Sequence, residues 1–295
     1  MRQLTDGEFD VNTAVWSPDG KRITMLSNLD KDSDVPPAFY FRNIYILSPG
    51  GGEPELLWEG ASWDIGTSWF GPSLIWSPDG KYLAFTGRVM GDLGHDIYKN
   101  IDLWVIPAEG GEPMNLIAAF DRTIRTYPGG PVWSSDSKTL YFLAPDRGAV
   151  NIYKVGLDTR EVEPITEGKM TVGSFNVDKT GSTIAFNATD ALTPSELWIK
   201  DEKSMRPVTE INKGLLKNLR LTEPEEFWLT TSEGVEVQGW IIKPYDFKEG
   251  KKYPMILGVH GGPHGMYGYV GLSEVEEEAQ QGGCDVESVV HEQRH

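Results

Sequence analysis

At 295 residues the chain exceeds one average domain, and its 44 acidic against 27 basic residues leave a net charge of −17. That balance excludes nucleic acid, whose phosphates must be met by Lys and Arg, and an anionic membrane surface. The single cysteine, Cys284, excludes an internal disulfide framework and any cysteine-based metal spacing.

An apolar content of 39%, with 10 Trp, 11 Tyr and 11 Phe, can fill a sizeable core, and 33 Gly with 19 Pro call for many turns. No apolar run approaches the ~20 residues of a membrane span. The polar, acidic stretch 1–10 has no apolar signal-peptide core. The expectation is a soluble, cytoplasmic protein.

From the start, Gln3-Leu4-Thr5-Asp6-Gly7 reads as the outermost strand of a blade whose other three strands are not ahead of it; either it closes the ring by completing the last blade, or the chain lacks upstream blades. Then a unit begins that recurs. Trp16-Ser17-Pro18-Asp19-Gly20-Lys21 returns as Trp76-Ser77-Pro78-Asp79-Gly80-Lys81, and in a worn copy as Trp133-Ser134-Ser135-Asp136-Ser137-Lys138. A more distant copy runs from Phe175 through Asp178 and Lys179 to Gly181. Ser opens each turn, Pro presets the next backbone position, and Asp and Gly suit the two that follow.

A β-rich run succeeds each turn: Ile23–Leu26, Tyr82–Thr86, Thr139–Leu143 and Thr183–Asn187. A second strand follows at Asn43–Leu47, Asp102–Ile106, Asn151–Val155 and Glu196–Lys200. A closing strand comes at Glu55–Trp58, Met114–Ile117, Val162–Thr166 and Arg206–Thr209. Anchors 60, 57 and 42 residues apart, with four strands to each, predict four blades of a β-propeller over residues 1–212, the four aromatics in equivalent buried positions.

The excursions between strands carry few sites. Asp30, Asp32 and Asp34 imitate a calcium loop, but Val35 stands where its glycine belongs and Phe41 where its glutamate belongs. No metal and no cofactor is expected. His95 reads as part of an exposed loop. Arg122 and Arg125 beside Tyr127 could meet a substrate carboxylate, with plain surface arginines the simpler reading.

After Ile211 the rhythm changes. Residues 213–270 read as a basic connector (Lys213–Leu221), a hairpin (Phe227–Thr231 and Val235–Ile242) and a fully apolar strand, Met255–Val259. Unbroken apolar character suits a buried sheet of an α/β domain. His260-Gly261-Gly262-Pro263-His264 follows directly. Paired glycines at a strand end let backbone N–H groups face a developing oxyanion, as HGG-type loops do in α/β-hydrolases.

This order of repeats, hairpin, apolar strand and His260-Gly261-Gly262-Pro263, followed by Tyr267-Gly268, resembles the prolyl oligopeptidase family of serine peptidases, in its acylaminoacyl-peptidase and dipeptidyl-peptidase-like branch. The resemblance covers about residues 1–270. It implies a mainly β chain, a partial propeller followed by the first strands of an α/β-hydrolase domain, and hydrolysis of short peptides through an acyl-enzyme. It places Gly261 and Gly262 in the oxyanion loop, with His260 and Pro263 shaping that loop.

The sequence departs from the family in two ways. Four repeats are visible where seven are usual, and no Gly-x-Ser-x-Gly elbow is present; Gly66-Thr67-Ser68-Trp69-Phe70 and Gly271-Leu272-Ser273-Glu274-Val275 both lack the second glycine. The catalytic serine, acid and histidine are therefore expected to be absent from this chain. Ser273, Asp285 and His291 could be assembled into a triad only without an elbow to present the serine. Residues 271–295, with seven acids, one arginine and no aromatic residue, read as a disordered or frame-shifted tail. The other readings are a propeller-type binding or interaction module without catalysis and a non-functional fragment. Bare blade edges predict self-association.

Overall fold

The computed structural model of the protein describes residues 3–6, 9, 11–27, 43–60, 63–65, 74–89, 99–125, 129–259, 266–270 and 287–292. The repeated strands form where the repeat places them. The first set is β1 (Val11–Trp16), β2 (Ile23–Ser27), β3 (Asn43–Leu47) and β4 (Glu55–Trp58), antiparallel in that order. In the second, β5 (Trp63–Ile65) and β6 (Leu74–Trp76) both pair with the long β7 (Tyr82–Val89), which continues into β8 (Asp102–Pro107) and β9 (Met114–Asn115). The sequence pattern does not mark β5.

The third set is β10 (Val132–Trp133), β11 (Thr139–Asp146), β12 (Ala149–Gly156) and β13 (Val162–Pro164). The fourth is β14 (Thr171–Val177), β15 (Ile184–Thr189), β16 (Glu196–Lys200) and β17 (Met205–Pro207). Four separate sheets were expected. Instead a parallel bridge between Val150 and Thr171 makes β12 the neighbour of β14, so these two sets share one eight-stranded sheet. Residues 3–6 are not in a strand, so no closing strand stands there; Gly7 lies outside the described residues.

By its contacts the chain divides into two units. The first comprises Met1–Ala144, Ile152–Thr166 and Asn176–Ser182; the second comprises Pro145–Asn151, Glu167–Phe175 and Thr183–His295. In the first unit successive sheets pack face to face. Leu83 and Phe85 of β7, with Ile106 of β8, join Leu26 and Ile44 of the first set. The alternate residues Ala84, Leu103 and Val105 join Trp133, Leu140 and Phe142 of the third. A strand whose neighbours point to opposite faces thus feeds two cores at once, and this explains why β7 and β8 are apolar without alternation.

This packing also corrects the expectation for the anchors. Trp76 and Trp133 are each 8% exposed, but Trp16 is 58% exposed. Trp76 is covered from the first set, with the Arg22 guanidinium 4.7 Å over its ring, and Trp133 is covered from the second. Trp16 stands on the first set, and no earlier set exists among the described residues to cover it. The fourth anchor is displaced as well. Its turn closes from Gly181 N–H to Asp178 C=O, so Val177, not Phe175, holds the place of Trp16. Phe175 is buried two residues earlier.

The turns owe their persistence to one hydroxyl and one carboxylate. Ser77 Oγ donates to Asp79 Oδ1 (2.7 Å) and accepts from Tyr82 N–H (3.0 Å), while Asp79 also accepts from Lys81 N–H. Ser17 and Ser134 repeat this arrangement. The fourth turn position is left-handed, with φ +70 at Gly20 and +73 at Gly80. Ser137 takes φ 61 there without glycine's freedom. Its Oγ accepts the Asp79 N–H at 3.0 Å, so the serine links two turns.

The hydrogen bond from Ser17 and the backbone N–H of Lys21 hold Asp19 below the usual carboxylate range; Ser134 and Lys138 do the same for Asp136. A carboxylate whose folded pKa is depressed contributes stability above its unfolded value of about 3.9 and loses it as pH falls through the folded value. Asp19→Asn and Asp136→Asn should therefore flatten the acid limb of a stability–pH curve below about pH 4. An unchanged acid limb by urea titration would show that the turns do not titrate on unfolding.

Among the described residues no helix is long and apolar enough to cross a membrane, and no three His, Cys, Asp or Glu side chains converge as a metal site.

Candidate functional site

The second unit ends in a small sheet. A one-turn helix, α1 (Lys213–Leu216), lies in the connector. Glu196, 6% exposed, ties the connector to β16 by accepting from Thr209 Oγ1 and from the N–H groups of Ile211 and Asn212. Then β18 (Glu225–Thr230) and β19 (Glu236–Ile242) form the expected hairpin, turning at Gly234 with φ +83.

The apolar strand is β20 (Ile256–Val259), and it does not sit beside the hairpin. A further strand, β21 (Glu287–Glu292), lies between, antiparallel to β19 and parallel to β20. The order is β18-β19-β21-β20. Within residues 271–295, read from sequence as a disordered or frame-shifted tail, Glu287–Glu292 pair along their whole length with Val237–Ile242. Val289 and Val290 give that acidic stretch a short β-favouring centre. His291 stands opposite Gln238. Burial of β20 was expected, but Ile256 is 44%, Leu257 56% and Val259 66% exposed, so its apolar side chains are uncovered on both faces.

His260, Gly261, Gly262 and Pro263, which follow β20 directly in the chain, lie outside the described residues, as do Ser273, Asp285, Asp30, Asp32, Asp34, His95 and Tyr127. Arg122 lies 5.7 Å over the Phe120 ring. Arg125 forms a bridge with Leu143, and burial lowers its pKa. Neither is a plain exposed surface arginine.

The side chains that do converge were not singled out from sequence. Glu226 and Trp228 on β18 lie opposite Trp240 and Gln238 on β19, all on one face of the hairpin. The Glu226 carboxylate collects four donors. Oε1 accepts from Trp228 Nε1 and Gln238 Nε2, both at 2.9 Å, and Oε2 accepts from the Tyr269 hydroxyl at 2.9 Å and pairs with Lys169 Nζ at 3.2 Å. Burial pushes Glu226 up, but the combined bonds from Tyr269, Trp228, Gln238 and Lys169 outweigh it and leave the group below its ordinary value. The bond to Glu226 raises Lys169, and burial raises the Tyr269 phenol.

Tyr269 packs edge-on against Trp240, centroids 5.8 Å apart, and its N–H donates to Gly148 C=O at 2.8 Å. Tyr269 is therefore fastened to the β18–β19 hairpin by its side chain and to the turn between β11 and β12 by its backbone. Chemically the cluster is a fully donated carboxylate, suited to holding a chain segment in place rather than to taking a proton. No spacing marks it, since Lys169, Glu226 and Tyr269 are far apart in the chain.

Glu226→Gln should cost about 1–3 kcal/mol at pH 7, since it removes hydrogen bonds to a charged acceptor. Because the folded pKa is depressed, the deficit should shrink as pH falls through that value and the parent protein loses its own charge. Urea denaturation at neutral and acid pH reads this directly. A deficit that grows on acidification would contradict the assignment.

No family model matches the chain. It is 29% identical to the uncharacterized peptidase YuxL of Bacillus subtilis, over 95% of this chain and 54% of that protein. It is also 29% identical to dipeptidyl-peptidase 5 of Porphyromonas gingivalis, over 84% of this chain and 34% of that protein. Among solved structures, Pyrococcus horikoshii acylaminoacyl peptidase matches at TM-score 0.72 and 25% identity, over 95% of this chain and 39% of that one. Puromycin hydrolase, at TM-score 0.68 and 18% identity, shares the fold. The chain thus spans about half or less of the proteins it matches, and its homologues are peptidases of the acylaminoacyl-peptidase and prolyl oligopeptidase type.

Proposed function

We propose that the chain is the propeller-bearing portion, with the first hydrolase strands, of a serine peptidase that cleaves short peptides through an acyl-enzyme. The observation that carries this reading is the position of His260-Gly261-Gly262-Pro263, directly after β20 in a chain whose relatives are peptidases over nearly all its length. Face-to-face packing of the first three strand sets supports the propeller, four sets making four blades.

In the reaction a serine hydroxyl attacks the peptide carbonyl, and a histidine takes its proton and passes it to the departing amine. Water then releases the acyl group by the same path. The Gly262 N–H, with Gly261 allowing close approach, donates to the oxyanion in both tetrahedral intermediates. This sequence carries no Gly-x-Ser-x-Gly elbow to present the serine, so the portion by itself supplies the substrate-restricting propeller and part of the oxyanion hole.

The test is turnover of chromogenic short peptides and labelling by a fluorophosphonate probe. The chain alone should give neither. Stoichiometric labelling at Ser273, lost in both Ser273→Ala and His291→Ala, would overturn the proposal.

A further inference from the structure

The connector after the fourth strand set is held in place but not packed. Glu196 fixes its start by accepting from Thr209 Oγ1 and from the Ile211 and Asn212 N–H groups. The backbone then runs in helical turns through α1 to Leu219. Leu216 N–H donates to Asn212 C=O at 3.0 Å, and Leu219 N–H to Leu216 C=O at 3.1 Å. Yet α1 contains no buried residue. So short a helix does not stand by its own propensity, and here three apolar side chains remain in solvent. Ile211 is 77% and Leu215 56% exposed, and Leu219 is exposed as well. Spaced four residues apart, they lie along one side of the turns.

Charge follows the same segment. Lys213 pairs with Glu210. Lys217 and Arg220 pair with no carboxylate among the described residues, in a chain with 44 acidic residues. The Arg220 guanidinium lies 5.2 Å over the ring of Tyr245, itself 65% exposed, and so adds an aromatic residue to the surface. Tyrosine and arginine are enriched where interfaces carry their binding energy. The aliphatic side chains call for an apolar partner surface and the two cations for carboxylates. An anionic lipid surface fits less well, because so few aliphatic side chains bury little area in a bilayer. A bilayer's sheet of negative charge also meets the −17 of the whole chain. A short acidic segment meets only the charges within a Debye length of about 8 Å.

We propose that residues 211–220, with Tyr245, form a docking surface for an acidic amphipathic segment of another protein. The apolar side of that segment covers Ile211, Leu215 and Leu219, and its carboxylates meet Lys217 and Arg220. Because Glu196 already holds the start of the connector, binding orders little of this chain. The surface stands apart from the peptidase reading and is tested without turnover.

Fluorescence anisotropy with the whole chain at pH 7 would use a labelled peptide of about four helical turns, with leucine at helical spacing and glutamate elsewhere. It should bind at roughly 10–100 µM, weakly because the surface is small. The same peptide with lysine for glutamate, and a polyglutamate of equal length, should each bind at least about tenfold more weakly. Leu215→Gln should weaken the acidic peptide by about tenfold, the worth of burying one leucine. Lys217→Glu should weaken it too and strengthen the lysine version. Neither side chain is buried, so both variants should fold as the parent does. No binding of the acidic peptide, equal binding of its lysine version, or undiminished binding to either variant would overturn the proposal. Binding to phosphatidylserine vesicles in place of the peptide would overturn it in favour of lipid. Self-association by light scattering that Leu215→Gln abolishes would overturn it in favour of a second copy.

Discussion

Gly268→Ala should destabilise the protein by about 3 kcal/mol, at the upper end of what overpacking costs. A Cβ there would overlap the carbonyl oxygen of Gly148, with that residue's carbonyl carbon at 2.6 Å and its Cα at 2.7 Å. Both surfaces are backbone, so no side chain can swing aside. The same carbonyl accepts the Tyr269 N–H, and any retreat of Gly148 therefore loosens the segment that Glu226 holds. Gly148→Ala should be at least as harmful. Its φ is +76, and an added Cβ would lie 2.7 Å from Cη2 of Trp240 and closer still to its Cζ2. Chemical denaturation of both variants reads the effect. A cost under about 0.5 kcal/mol for Gly268→Ala, the range of an unconstrained surface change, would mean the two glycines do not meet as described.

The second large effect separates two tryptophans that look identical in sequence. Trp133→Ala should cost about 3–5 kcal/mol, the range for truncating a buried aromatic residue. Trp16→Ala, on a side chain 58% exposed, should stay within about 1 kcal/mol. Trp133→Phe should fall between. It keeps most of the packing and removes an indole N–H that is buried without a partner among the described residues, a group that is itself costly. Equal losses at Trp16 and Trp133 would show that something covers the first set in solution. Light scattering of the parent protein would then identify self-association as the cause.

Much of this architecture was legible because it is local. Ser-Pro-Asp-Gly contains its own hydroxyl, carboxylate and left-handed residue, so each turn could be placed from six letters, and strands of the right character follow at regular distances. The worn copy was legible for the same reason, although the interest of Ser137 lies in a bond to another turn that no window of sequence contains. The fourth copy was misplaced by two residues. Phe175 looks like the missing aromatic residue, but the hydrogen bond from Gly181 to Asp178 decides which residue precedes the turn.

The sequence by itself determined the repeat and the hairpin, because turn chemistry and strand character are properties of neighbouring residues. Only the tertiary structure decided which anchor is buried, that β12 and β14 share a sheet, and that Glu287–Glu292 enters between β19 and β20. It alone decided, too, that Lys169, Tyr269, Gln238 and Trp228 meet on Glu226. Burial depends on what stands opposite a side chain, and a carboxylate gathers its donors through space. Neither quantity is written in the order of residues along the chain.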